Sequence, residues 1–220
     1  MIFSSDTIGP QISHLCQAYP GLAEIYSNQT EIRLHGPIQV HLTANDYTVR
    51  NTYVIDVVIP LNSTKLPYII DTGHQIKVTY PHCYQNGELC LATDTQMRIQ
   101  FVDNFDLVQW MRDYVETYFF SYEYYQRYKV FPFGDRAHGH RGILQTYQEI
   151  FGVANENAAY KMMKHIDKYS YRGHHPCPCG SENKIRNCHG MAMMRFYKDL
   201  RLKEILKNDL QFCDAEMRSD

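Results

Sequence analysis

The residue types best suited to chemistry gather in two places. The first is His175-Pro176-Cys177-Pro178-Cys179-Gly180-Ser181-Glu182-Asn183-Lys184-Ile185-Arg186-Asn187-Cys188-His189-Gly190. Cys177, Cys179, Cys188 and His189 are four soft or borderline ligands, the kind of set zinc takes in a tetrahedral site. Cys177 and Cys179 can share one ion across a turn, and Cys188 with His189 closes the other side. The eight-residue loop between them holds Gly180 and Ser181, which permit a tight reversal. His174 and His175 flank the set, and either can compete as a ligand. So few apolar side chains leave metal binding as the main source of folding energy here. The alternative is a cysteine-containing loop that holds no metal.

The second place is Tyr80-Pro81-His82-Cys83-Tyr84-Gln85-Asn86-Gly87-Glu88-Leu89-Cys90-Leu91. Asn86-Gly87 is a strong turn signal. Leu89 and Leu91 anchor the backbone on either side of Cys90, which then points the other way. His82, eight residues upstream across the turn, can fold back toward the thiol. A cysteine by itself is most often a core filler; a thiol beside an imidazole can be a nucleophile. His138 is a further candidate, close to a helix start where backbone N–H groups point outward. His82 and His138 each also read as ordinary structural histidines. His74, His140 and His165 read as surface residues, and Cys16 and Cys83 as core or bystander thiols.

The elements that must position these groups follow from periodicity. Residues 9–27 have helical spacing at Ile12, Leu15, Cys16 and Tyr19, interrupted at Pro20, with a second short turn over Leu22 to Ser27. From Thr30 the period is two: Ile32, Leu34, then Ile38, Val40 and Leu42, broken at Gly36-Pro37. Val49 to Ile59 is another strand and Ile76 to Thr79 a third, with turns at Asn45-Asp46 and Leu61 to Lys65. This is an antiparallel meander with no βαβ rhythm. Asp106 to Tyr128 is a long helix with Leu107, Trp110, Met111, Tyr114, Tyr118, Phe119 and Tyr122 on one stripe. Helices follow from about Gly142 to Phe151, from a cap at Asn155 to about Tyr169, and from about Met191 to Phe212. The tyrosines from Tyr114 to Tyr128 read as helix packing and its exposed rim, with a partner-binding face as the alternative.

With 220 residues, 44% hydrophobic and 21% charged, the chain is a folded protein and neither disordered nor fibrous. A net charge of −2 excludes a globally basic nucleic-acid binder. The charge is unevenly placed: residues 1–160 carry 10 basic and 16 acidic side chains, whereas residues 161–207 carry 11 and 4. A basic C-terminal segment on an acidic body implies two modules. No run reaches the ~18–20 apolar residues of a membrane helix, and the first residues lack the basic region of a signal peptide. Seven cysteines, three of them clustered, fit metal binding in a reducing compartment better than a disulfide framework. A cytoplasmic location is expected.

The cysteine knuckle resembles the SEC-C zinc motif, found at the C-terminus of the bacterial translocase SecA and on bacterial accessory proteins. Pro176 to Ser181, Lys184 and Cys188-His189 all fall in place over about 16 residues; Asn183 stands where the family often has Gly. The resemblance implies a structural Zn²⁺ and a docking or nucleic-acid-contacting module. Residues 10–152 are similar to ubiquitin-conjugating (UBC) enzymes, whose active-site cysteine lies in His-Pro-Asn…Asn-Gly-x-Ile-Cys-Leu. Asn86 to Leu91 matches the end of that pattern, and Tyr80-Pro81-His82 replaces its beginning. Bacterial members carry a His eight residues before the Cys. Leu66 to Ile76 and Phe131 to Leu144 also look like bacterial segments, the latter like Trp-Pro-x-Gly…His-Gly-x-x-Gly-Ile-Leu.

The fold implied is α+β: a UBC-like domain over residues 1–152, then residues 153–220 with a zinc motif (172–190) and a C-terminal helix. The function implied is an acyltransferase carrying a protein C-terminus as a thioester on Cys90 and passing it to a target amine. His82 either stabilises the oxyanion and holds the loop or deprotonates the amine; His138 is a supporting candidate. By resemblance the setting is bacterial antiphage defence, including cyclic-oligonucleotide (CBASS) operons. The donor would be a ubiquitin-like protein or a nucleotidyltransferase C-terminus, loaded by a separate activating enzyme, since no Gly-rich ATP loop is visible. Two alternatives remain: an inactive UBC-fold scaffold whose zinc module docks a protein or nucleic acid, and a cysteine hydrolase, for which the sequence offers no convincing third triad member.

Overall fold

The computed structural model describes residues 2–135 and 137–218. They form an α+β protein of two compact units, one from residues 2–92 with 103–135 and the other from 93–102 with 137–218. The division falls elsewhere than at 152/153, because the helix Gly139–Phe151 packs on helices of the second unit.

The first unit opens with α1, Ser5–Ala18, whose N-terminus is closed by a capping box between Ser4 and Thr7. Ile8, Ile12 and Leu15 are its buried stripe. The expected turn after Pro20 is instead strand β1, Ala23–Ser27. All five of its residues are exposed, so it has no alternation to read. Strands β2 (Glu31–Ala44), β3 (Tyr47–Pro60) and β4 (Tyr68–Asp71) complete an antiparallel meander in the order β1-β2-β3-β4. Asn45 and Asp46 both have positive φ, 49° and 56°, as a two-residue type I′ hairpin between Ala44 and Tyr47 requires.

Gly36-Pro37 does not break β2; Gly36 pairs with Ile55 and Pro37 with Val54. Gly36 sits at φ 148°, and a Cβ there would lie 1.9 Å from the carbonyl oxygen of Gly21. The glycine is what lets the chain after α1 approach β2 this closely as it enters β1. Gly36→Ala is expected to lower the stability of this unit by more than about 3 kcal/mol. An unchanged denaturant midpoint would contradict that.

Ile76 to Thr79 is not a strand. Beyond the end of β4, the Gln75 side chain serves β3 in its place: its Oε1 accepts from Val54 N (2.8 Å) and its Nε2 donates to Thr52 O (2.8 Å). The carboxylate of buried Asp71 then accepts from Ile76 N at 2.7 Å. Residues 107–128 form one long helix, α3, built from Leu107–Trp110, a π-helical stretch Met111–Glu116 and Thr117–Tyr128. Asp106 caps it through Gln109 N, and its seven expected stripe residues are all buried. Tyr53 of β3 stacks on Phe119 with ring centroids 3.9 Å apart and donates to Glu123 at 2.6 Å, tying α3 to the sheet.

In the second unit, α2 (Asp94–Gln100), α4 (Gly139–Phe151), α5 (Glu156–Lys168), α6 (Gly190–Lys198) and α7 (Leu200–Glu216) share one core with the cysteine knuckle. Asn155 caps α5 through Ala158 N. The single expected C-terminal helix is two, because Asp199 leaves helical geometry and caps α7 by accepting from Arg201 N. The core holds Tyr147, Phe151, Met162, Met163, Phe196 and Leu206.

Asp209 lies beneath this core, accepting from Tyr147 Oη at 2.9 Å. Burial raises its carboxyl to about 6, against the hydrogen bonds from Tyr147 and Thr95, which pull it down. The folded unit therefore holds a proton that the unfolded chain releases at lower pH. The contribution is stabilising in acid and is lost as pH rises from about 4 to about 6. Asp209→Asn should be more stable than wild type at neutral pH by about 2 kcal/mol and should lack that loss. Parallel pH dependences of the two urea midpoints would contradict this.

Candidate thiol–imidazole site and metal centre

Cys90 is placed by a tight hairpin hung on the edge of β4. Asp71 N donates to Gly87 O and Leu89 N to Ile69 O, both at 2.9 Å. Asn86-Gly87 makes the turn: Gly87 has φ 80°, Gly87 N donates to Tyr84 O, and Asn86 Oδ1 accepts from Glu88 N. Across it Cys83 pairs with Leu89, and Cys90 N donates to His82 O at 2.9 Å. Leu89 is buried and Leu91 half-buried, so the first is the stronger anchor. Cys90 itself is half-buried, and none of the seven cysteines is in a disulfide.

The hairpin brings the His82 ring to the thiol: a ring nitrogen and Cys90 Sγ are within 4.8 Å of each other. The histidine is held on three sides. Its carbonyl also accepts from Tyr118 Oη of α3 (3.0 Å). Its ring packs edge-on against Tyr80 and Phe131, with centroids 5.7 and 5.2 Å away. Its Nε2 lies 3.2 Å from Asp135 Oδ1. Burial is the main cause that pushes the Tyr118 and Tyr80 phenols up, so both remain neutral. Tyr118 thus keeps the proton it donates.

Asp135 was not among the residues singled out from the sequence. Its position after the Phe131 to Gly134 turn carries no periodic signal, and only the packing of Phe131 on His82 brings it there. The Asp135 side chain is 65% exposed, so the pair is solvent-screened and orients the ring more than it charges it. His138 belongs to the second unit, where it is the exposed N-cap residue of α4 without a side-chain capping bond. Cys83 is a neighbour rather than a participant; burial, with Asp71, raises its thiol.

The knuckle gathers its four sequence-expected ligands. The Sγ atoms of Cys177, Cys179 and Cys188 and a ring nitrogen of His189 are within 4.8 Å of one another. Cys179 and Cys188 sulfurs are 3.7 Å apart, and His189 Nδ1 is 3.4 Å from Cys177 Sγ and 3.1 Å from Cys188 Sγ. Two short backbone ladders frame them: Cys177 N donates to Asn183 O, Ile185 N to His175 O and Arg186 N to Gly173 O. Gly180 turns the loop at φ 91°. Burial opposes ionisation of Cys179, but hydrogen bonds from Ser181 and the adjacent thiols outweigh it and bring that thiol to about 6. The donor set can hold a metal ion. His174 and His175 stand outside it among the described residues. Ile185 is fully buried and Cys177 nearly so, which gives the knuckle an apolar root in the core that its composition did not suggest. His165, expected on the surface, is half-buried, and burial lowers its pKa.

The chain is thus an α+β protein with a four-stranded meander, a hairpin-borne thiol–imidazole pair and a separate Cys₃His cluster. Compared with protein families, curated proteins and solved structures, it matches none. Among the described residues no helix is long and apolar enough to cross a membrane.

Proposed function

We propose that the chain is a UBC-type acyltransferase of the bacterial cytoplasm, carrying a protein C-terminus as a thioester on Cys90. The observation that carries this reading is the hairpin that fixes His82 and Cys90 opposite each other at the end of a helix–meander–helix unit. The Cys90 thiolate attacks the carbonyl of an activated donor; the new C–S bond forms and the donor's leaving thiolate departs. An incoming amine then attacks that carbonyl, the C–S bond to Cys90 breaks, and the amine proton passes to the His82 imidazole. Backbone anchoring of His82 through Tyr118 and Cys90 N keeps the ring in place for that transfer, with Asp135 setting its orientation. The donor is a ubiquitin-like protein or a nucleotidyltransferase C-terminus loaded by a separate ATP-using enzyme, and the setting is antiphage defence.

The Cys₃His cluster holds one structural zinc in this reading. A tetrahedron of ~2.3 Å Zn–S bonds puts two sulfurs ~3.7 Å apart, which is the Cys179–Cys188 separation. A second reading gains from Asp135, which completes a Cys–His–Asp arrangement: a cysteine hydrolase. One assay separates the two. A protein thioester donor is incubated with the chain, with and without an added amine. A carrier accumulates one thiol-labile adduct per chain and releases it as an amide when amine is added. A hydrolase turns over with water and accumulates nothing.

A further inference from the structure

We infer that the second unit carries a binding surface for single-stranded nucleic acid, made where the C-terminal end of α5 meets α6, α7 and the cysteine knuckle. A chain of contacts links its residues. Tyr169, just past α5, is 60% exposed and lies 5.1 Å from the His165 ring. The carbonyl of His165 accepts from Tyr197 Oη of α6. The Tyr197 ring meets Tyr171 edge-on at 5.6 Å and has the Lys203 ammonium of α7 6.0 Å from its centroid. Two residues past Tyr171, Gly173 O accepts from Arg186 N, which brings the knuckle's arginine alongside.

Charge points the same way. The span 161–207 holds 11 basic against 4 acidic residues in a chain that is acidic elsewhere. Lys168, Arg172, Lys184, Arg186, Arg195 and Lys198 are exposed, and none forms an ion pair among the described residues. Asp199, one of the four acids, is already held by Arg201 at 2.6 Å. Cations alone would suit any polyanion. The exposed Tyr169 ring set among them, with half-buried Tyr171 and Tyr197 beside it, favours unpaired bases, which can stack, over a duplex, whose faces are covered. The inference does not depend on the chemistry at Cys90.

The test is fluorescence anisotropy of the full chain with a labelled single strand of about 20 nucleotides, a duplex of the same length, and anionic phosphatidylserine vesicles. The strand should bind most tightly, with log K falling against log salt at a slope of about −2 to −3, as three or four phosphates at ~0.7 each require. Arg186→Glu with Lys203→Glu should weaken binding by about tenfold or more, and Tyr169→Ala by about tenfold. Far-UV dichroism checks that the variants fold, and Arg186→Gln with Lys203→Gln replaces the reversal if it does not. The inference is overturned if the strand does not bind at ~50 mM salt. It is equally overturned if duplex or vesicles bind as tightly, or if Tyr169→Ala leaves strand binding unchanged.

Discussion

Removing the metal from the Cys177, Cys179, Cys188 and His189 cluster should unfold the knuckle and loosen the unit built on it. The purified chain should hold one zinc ion, and Cys177→Ser with Cys179→Ser should lose it. Structural zinc sites of this ligand class bind with roughly 10–16 kcal/mol of apparent free energy, much of it folding energy. The whole amount is not expected here, because Ile185 and Cys177 are already rooted in the apolar core with Phe196 and Met193. A fall in the unit's melting temperature of about 10 °C or more on strong chelation is the expected size. The loss should be greatest where α6 begins, since His189 is its N-cap residue. A zinc-free protein with an unchanged melting profile would contradict the assignment.

The second large effect lies at the hairpin. Cys90→Ala should abolish adduct formation with a thioester donor. His82→Ala should leave adduct formation possible but slow transfer to amine by about 10²–10³-fold, the usual weight of a positioned proton acceptor. Asp135→Asn should cost about tenfold or less, because the exposed carboxylate orients the ring and does not itself react. Tyr118→Phe removes the phenol that donates to His82 O while keeping the ring in the core. It should slow transfer by a few-fold without lowering the denaturant midpoint by more than about 1 kcal/mol. The ordering matters more than the sizes. If Asp135→Asn abolished turnover as completely as Cys90→Ala, the hydrolase reading would gain.

Much of this was legible from residue order, and what was hidden was hidden for definite reasons. The β2–β3 hairpin shows because Ile32, Leu34, Ile38 and Val40 alternate and Asn45-Asp46 tolerates positive φ. The α3 stripe shows because its buried residues keep helical spacing despite the π-helical stretch within it. The Cys₃His cluster shows because its four residues are close in sequence. Strand β1 is hidden because no face of it is buried. The spurious strand after Gln75 arises because a side-chain amide does the work of a backbone, and side-chain hydrogen bonding has no period. The helix Asp94–Gln100 is short, with only Thr95, Met97 and Ile99 buried, an alternation that does not mark a helix. Asp135 is hidden because its partner His82 is 53 residues away in sequence.

The measurement that tests the central claim most directly is the intact mass of the chain isolated under non-reducing, acidic conditions from cells that also express its genomic neighbours. Wild type should carry a protein-sized mass increment on Cys90 that thiol reagents remove. Cys90→Ser should carry the same increment as a thiol-resistant ester, and Cys90→Ala none. The increment would identify the donor. An unmodified mass in wild type and Cys90→Ser alike, with biological activity intact in Cys90→Ala, would contradict the thioester account.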